Sequence, residues 1–256
     1  MRRLQGPHLR DLLLVALALS MGSLDAVSWL GLGRVYSAFQ TGNIVVLGFG
    51  AAGAAGPPVV RGGASLAAFA IGAFVASRFV ARDVPGAVWP RPVTLVLGTV
   101  VMVQAAFLAL WLAVHGHPSN TSADVLIGVG GLAAGLQTGA IFSLGVRAVF
   151  TTAATATVTA IMSDLANGRH APRDLWRLTA VVLSAFAGAT AGGLLMDHAR
   201  ELAPVLTLAV TTTVVATAWL VLGHDPSVAT GDRDRGREGR GVIAGDRHHT
   251  PGMADA

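Results

Sequence analysis

The sequence predicts an all-α fold of the membrane kind: a polytopic bundle with six spanning helices and two polar, broken or re-entrant segments. Three observations predict it. The chain of 256 residues is 53% apolar and 12% charged, whereas soluble domains carry roughly 25% charged residues. Apolar runs recur at the length of about 20 residues that a helix needs to cross some 30 Å of hydrocarbon. The basic residues gather in particular loops rather than evenly along the chain.

In order, the apolar segments are 11–31, 37–56, 64–81, 92–114, 123–145, 149–167, 176–196 and 202–222. The first follows Met1-Arg2-Arg3 and so mimics a secretory signal. Its run from Leu12 to Leu32 is longer than a typical apolar signal region of about 7–15 residues, and no small-residue cleavage site ends it. It is expected to be a retained first helix.

Segments 37–56 and 149–167 differ from the rest. One opens on Ser-Ala-Phe-Gln-Thr-Gly-Asn, and the other on a run rich in Thr. Thr can bond back to the preceding helical turn, so Thr alone does not forbid a span. Arg placement argues against both as spans. Cytoplasmic loops should hold the Arg excess. If these two segments do not cross, the N-terminus, the Arg82/Arg91 loop, the Arg169/Arg173/Arg177 loop and the tail all fall on one side. The Arg-free stretch His115–Ser122 then falls on the other. Eight spans, the alternative, would invert the rule. Six spans place both termini in the cytoplasm of a bacterial inner membrane.

Residues 1–222 read as one transmembrane domain. Residues 223–256 read as a disordered polar tail, rich in Gly, Arg, Asp and His with almost no apolar content. Its His248-His249 pair is too isolated for a metal site.

The two halves, 11–114 and 123–222, echo one another. Laying Ala26 on Ala140 also brings Leu30, Gly31, Val35 and Thr41 onto Leu144, Gly145, Val149 and Thr155. The order of long span, polar segment, span, span repeats as well. With three spans per half the halves are inverted, a plan found in many transporters; with four they are parallel. Small residues recur every fourth position at Gly131, Gly135 and Gly139, at Gly188 and Gly192, and at Gly72 and Ala76. Such spacing lets helix backbones approach closely, either within one subunit, the favoured reading, or between copies in a homo-oligomer.

The motif Gly22-x-x-Asp25-Ala followed by Thr41-Gly42-Asn43, with Gly135-x-Gln137-x-Gly-Ala and the later Thr151-Thr152-x-x-Thr155, resembles the YoaK-like family of small bacterial membrane proteins. The resemblance covers about residues 8–222. It implies a helical inner-membrane protein with six spans and names no substrate. The second motif departs from the family pattern: Thr138 stands where an Asn is usual, and Thr155-Ala156 where a Thr-Gly is usual.

The candidate site follows from cost. An ionised acid near the middle of a span costs about 2.5–3.5 kcal/mol on insertion scales. Asp25 therefore either binds a cation, a proton or a polar solute, or ties helices together through Asn43, Gln137 or Arg147. Thr41-Gly42-Asn43 either forms a broken turn that coordinates a ligand or caps a helix end. Gln137, Thr151 and Thr155 are the matching candidates in the second half, with interhelical hydrogen bonding as the other reading. Gln104 and Asp164 read as a packing amide and an interfacial acid.

With no Cys, thiol chemistry and disulfides are excluded. No His lies within a span, and no paired carboxylates, metal-binding cluster or phosphate loop appears. Neither an enzyme nor a cofactor or metal is expected. The Arg excess is explained by topology without nucleic acid. The expected partners are the bilayer and a small solute or ion. The expected function is a small-solute or ion transporter or channel; a non-transporting scaffold or regulator is the alternative.

Overall fold

The structure is a computed structural model, and it describes residues 2–80, 88–145, 154–168 and 172–222. The tail at 223–256, Thr151 and Arg147 lie outside the described residues. The described residues form helices α1 (Arg2–Gly31), α2 (Gln40–Ala51), α3 (Val59–Val80), α4 (Arg91–Ala113), α5 (Asn120–Phe142), α6 (Ala154–Ala166), α7 (Pro172–His198) and α8 (Ala203–Thr217). A 3₁₀ turn at Arg200–Leu202 precedes α8, and a π turn at Ala218–Leu222 follows it.

Six of these stretches are long and apolar enough to cross a membrane: Gly6–Gly31, Val59–Val80, Arg91–Ala113, Asn120–Phe142, Leu175–His198 and Arg200–Leu222. The two polar segments become short helices of 12 and 13 residues. At 1.5 Å per residue neither covers 30 Å. Starts are set locally: Ser119 accepts from the Ser122 N–H at 3.4 Å ahead of α5, and prolines occupy the first turns of α4 and α8.

Two tight helix pairs organise the bundle, α1 with α7 and α3 with α5. Glycine sets both. A side-chain carbon at Gly22 would strike the Ala185 carbonyl, at Gly188 the Leu19 carbonyl, and at Gly192 the Ser23 carbonyl. In the other pair, Gly131 meets the backbone of Ser65, Gly135 that of Phe69, and Gly139 that of Ala73. Residue numbers rise together within each pair, so each pair is parallel. Across the pairs, α1 and α5 run antiparallel, since Gln137 reaches Leu17 while Gly130 lies beside Ser37 and Phe107. These small-residue faces are thus filled by the chain's own helices. α4 and α8 pack on α5 and α1 and on each other.

The helix ends sort into two layers. One contains the residues after α1, the start of α3, the 114–124 stretch and the turn before α8. Arg61 Nη1 donates to Leu32 O, Arg200 Nε donates to Gly116 O at 2.7 Å, and Trp111 Nε1 donates to Arg200 O at 2.9 Å. The opposite layer contains the start of α1 and the start of α7, where Arg177 lies 3.9 Å from Asp11.

Candidate functional site

The site begins with the linker between α1 and α2. Gly33 and Arg34 both take left-handed backbone, with φ of +92° and +61°. That reverses the chain at the end of α1. The following residues run back along α1, and α2 then climbs out again beside α3. The depth of this return is fixed by Asp25, six residues and thus about 9 Å before the end of α1.

Asp25 is the anchor. Its Oδ1 accepts from the N–H groups of Ser37 at 3.0 Å and Ala38 at 2.7 Å, and its Oδ2 from Phe39 N–H at 3.1 Å. Re-entrant backbone needs such partners, because its N–H groups have no helical acceptors and an unpaired buried one costs several kcal/mol in hydrocarbon. Asn43, fully buried, clamps the same linker from α2. Its Oδ1 accepts from Tyr36 N–H at 3.0 Å, and its Nδ2 donates to Tyr36 O at 2.7 Å and to Gln40 Oε1 at 2.9 Å. Ser65 Oγ of α3 donates to Tyr36 O at 2.6 Å, and the Ser28 and Ser37 hydroxyls pair at 2.6 Å.

Of the residues singled out in the sequence, Asp25 and Asn43 therefore converge on residues 36–39. They meet through the linker backbone rather than touching each other or Gln137. Gly42 is required by packing: a side-chain carbon there would press on the rings of Tyr36 and Phe39. Thr41 and Gly42 border an open groove of about 440 Å³. Its aromatic wall is Trp29 stacked on Tyr36, centroids 4.8 Å apart, with Phe39 edge-on to Tyr36 at 5.1 Å. Arg34 stands at one side, and Val45, Val46, Phe49 and Pro57 complete it. The Tyr36 phenol is held above its ordinary range, first by burial and second by the negative charge of Asp25.

Gln137 lies elsewhere. It is fully buried on the α1–α5 contact, where its Nε2 donates to Leu17 O at 3.2 Å while Oε1 has no partner among the described residues. Thr155 falls in α6, but its side chain, like all of Thr151, lies outside the described residues. Gln104 is buried, and neither of its amide atoms has a partner among the described residues. With Thr207 it borders a cavity of about 10 Å³ between α1, α4, α5 and α8, about the size of one water.

Sequence reasoning passed over Arg61. It is 8% exposed and joins three elements: Nε donates to Asp124 Oδ1 at 2.6 Å, Nη1 to Leu32 O at 3.2 Å, and Nη2 to Asn120 Oδ1 at 2.8 Å. An Arg near a helix start reads as an interfacial charge. Its only sequence signal was its position three residues before the apolar run 64–81.

The family described as protein of unknown function (DUF1275) matches residues 13–221. A transmembrane protein of Bacillus subtilis (strain 168), UPF0700 transmembrane protein YoaK, is 28% identical over 156 residues, covering 61% of this chain and 67% of that protein. No solved structure matches the chain.

Proposed function

Since the chain belongs to the DUF1275 family of membrane proteins of unknown function, its activity must be read from its own geometry, and we propose that it is a small-solute transporter working by alternating access between two inverted halves. The observation that carries this reading is a pair of equivalent ion pairs at opposite ends of the bundle. Match the tight helix contacts, Gly22 against Ala185 with Gly135 against Phe69. Match likewise Gly188 against Leu19 with Gly72 against Leu132. The same two superpositions, α1 on α5 and α3 on α7, carry Asp11 onto Asp124 and Arg61 onto Arg177. Arg61 and Asp124 form a hydrogen-bonded pair at 2.6 Å; at the corresponding place Arg177 lies 3.9 Å from Asp11, whose other oxygen accepts from Arg10 at 2.9 Å.

Each pair bridges one half to the other at one end of the bundle. An inverted repeat with such a contact at each end allows two arrangements, one opened at each end, which is the kind of motion alternating access uses. The contact register differs by one residue from the sequence echo, pairing Gly22 with Gly135 and Asp25 with Thr138. The Arg61 end, which the re-entrant linker also faces, is the extracytoplasmic one on this reading, because Arg2, Arg3, Arg10 and Arg177 all cluster at the other. The residues marked in the sequence then have separate roles. Asp25 and Asn43 hold the re-entrant linker, and Thr41 and Gly42 face the solute groove. Gln137 supports the contact between halves, and Thr151 and Thr155 belong to the counterpart segment of the second half.

The test needs no known substrate, because the chain has no Cys. Ser23, fully buried with no partner for its hydroxyl among the described residues, is replaced by Cys and challenged in liposomes with a membrane-impermeant maleimide from either side. Arg61→Gln is expected to raise labelling from the extracytoplasmic side, and Arg177→Gln from the cytoplasmic side. Labelling unchanged in both, or raised from the same side by both, would favour a static scaffold.

A further inference from the structure

The groove at the re-entrant linker has a definite chemical bias. Four of its lining residues carry hydrogen-bond donors: Trp29 an indole N–H, Arg34 a guanidinium, and Tyr36 and Thr41 hydroxyls. None of these side-chain groups has a hydrogen-bond partner among the described residues. Among the described residues no Asp or Glu lines it, and both oxygens of Asp25 are turned to the linker backbone. The remaining wall is aromatic and aliphatic. At about 440 Å³ the groove falls within the usual size range of small-molecule sites.

A cation would meet Arg34 with no acid to offset it. A fully polar solute would strip water from itself against apolar walls without compensation. An apolar body carrying one anionic group fits both parts. Its anion would take the Arg34 guanidinium in a charge-assisted, bidentate contact, and its body would lie against the Trp29, Tyr36 and Phe39 rings. Arg34 is held at the groove by its own left-handed backbone and by the close approach of Gly33 to Arg61.

We infer that this groove binds a small amphipathic carboxylate, with Arg34 as its anion-binding residue. The inference rests on the transporter reading for its purpose, though binding itself is independent of transport.

The probes are 4-phenylbutyrate, its neutral alcohol and its amine, measured by equilibrium binding to the full chain in phosphatidylcholine nanodiscs. The carboxylate is expected to bind about tenfold tighter than either counterpart, the scale of one charge-assisted contact. Arg34→Gln should abolish that preference while leaving alcohol binding unchanged, which also shows the groove intact. Equal binding of all three, or a preference that survives Arg34→Gln, overturns the assignment. So does loss of carboxylate binding when phosphatidylglycerol is added, since a lipid headgroup would then be the occupant. Failed binding with the sided labelling pattern intact removes only the ligand class; failed labelling with binding intact removes only transport.

Discussion

Replacing Asp25 by Ala removes the acceptor for three consecutive backbone N–H groups, those of Ser37, Ala38 and Phe39. Each hydrogen bond to a charged group contributes about 1.5–3 kcal/mol net, and each buried donor left unpaired costs about 1–3 kcal/mol. The linker will recover part of this by moving toward water. A net loss of about 3–5 kcal/mol follows, a factor on the order of a hundred or more in the folded fraction. Asn43 and Ser65 still hold Tyr36, so the damage should concentrate at 37–39. Asp25→Asn keeps one acceptor oxygen but sets its N–H₂ against a donor, and should lose less than Ala. The assay is unfolding in detergent, paired with maleimide labelling of a single Cys at Ala38, which is 3% exposed. Ala38→Cys should label slowly alone and at least tenfold faster with Asp25→Ala. A double variant that unfolds within about 0.5 kcal/mol of Ala38→Cys, with the thiol still protected, would show that the carboxylate does not hold the linker.

Other outcomes follow from the same geometry. Gly188→Ala forces a methyl group onto the Leu19 carbonyl and should destabilise by about 1–3 kcal/mol in detergent unfolding. Gly48→Ala meets nothing within 4 Å and should be neutral or stabilising, so equal losses in the two variants would remove the packing argument. Tyr36 is the chain's one Tyr, so tyrosinate absorbance reports it alone. Its midpoint should lie above the ordinary 10.0 and fall toward it in Asp25→Asn. The neutral phenol is favoured by the fold, so its contribution to stability is complete below pH 10 and is lost as pH rises through the folded-state midpoint. A midpoint at or below 10.0 would contradict the burial of this ring.

Local properties of the chain determined much. Run length and apolarity fixed the six long helices, because the bilayer sets both. The weakness of segments 37–56 and 149–167 as spans was visible in their Gln, Asn and Thr, and both became helices too short to cross. Asp25 and Asn43 were marked as groups that hydrocarbon would not accept alone, and both are met by the linker backbone. Their partners were not legible, since side-chain chemistry does not announce that an acid will be met by backbone N–H groups twelve to fourteen residues on. That depends on the chain reversing at Gly33 and Arg34. A chain rich in Ala, Gly and Leu matches itself at several offsets, so the sequence echo selects no register; on the transporter reading the close approaches of Gly22 to Ala185 and of Gly135 to Phe69 supply one, a residue away from the echo. Tertiary structure alone brought Arg61 to Asp124 and Arg177 to Asp11, since charges at helix ends look alike in sequence, and only packing decides which face each other.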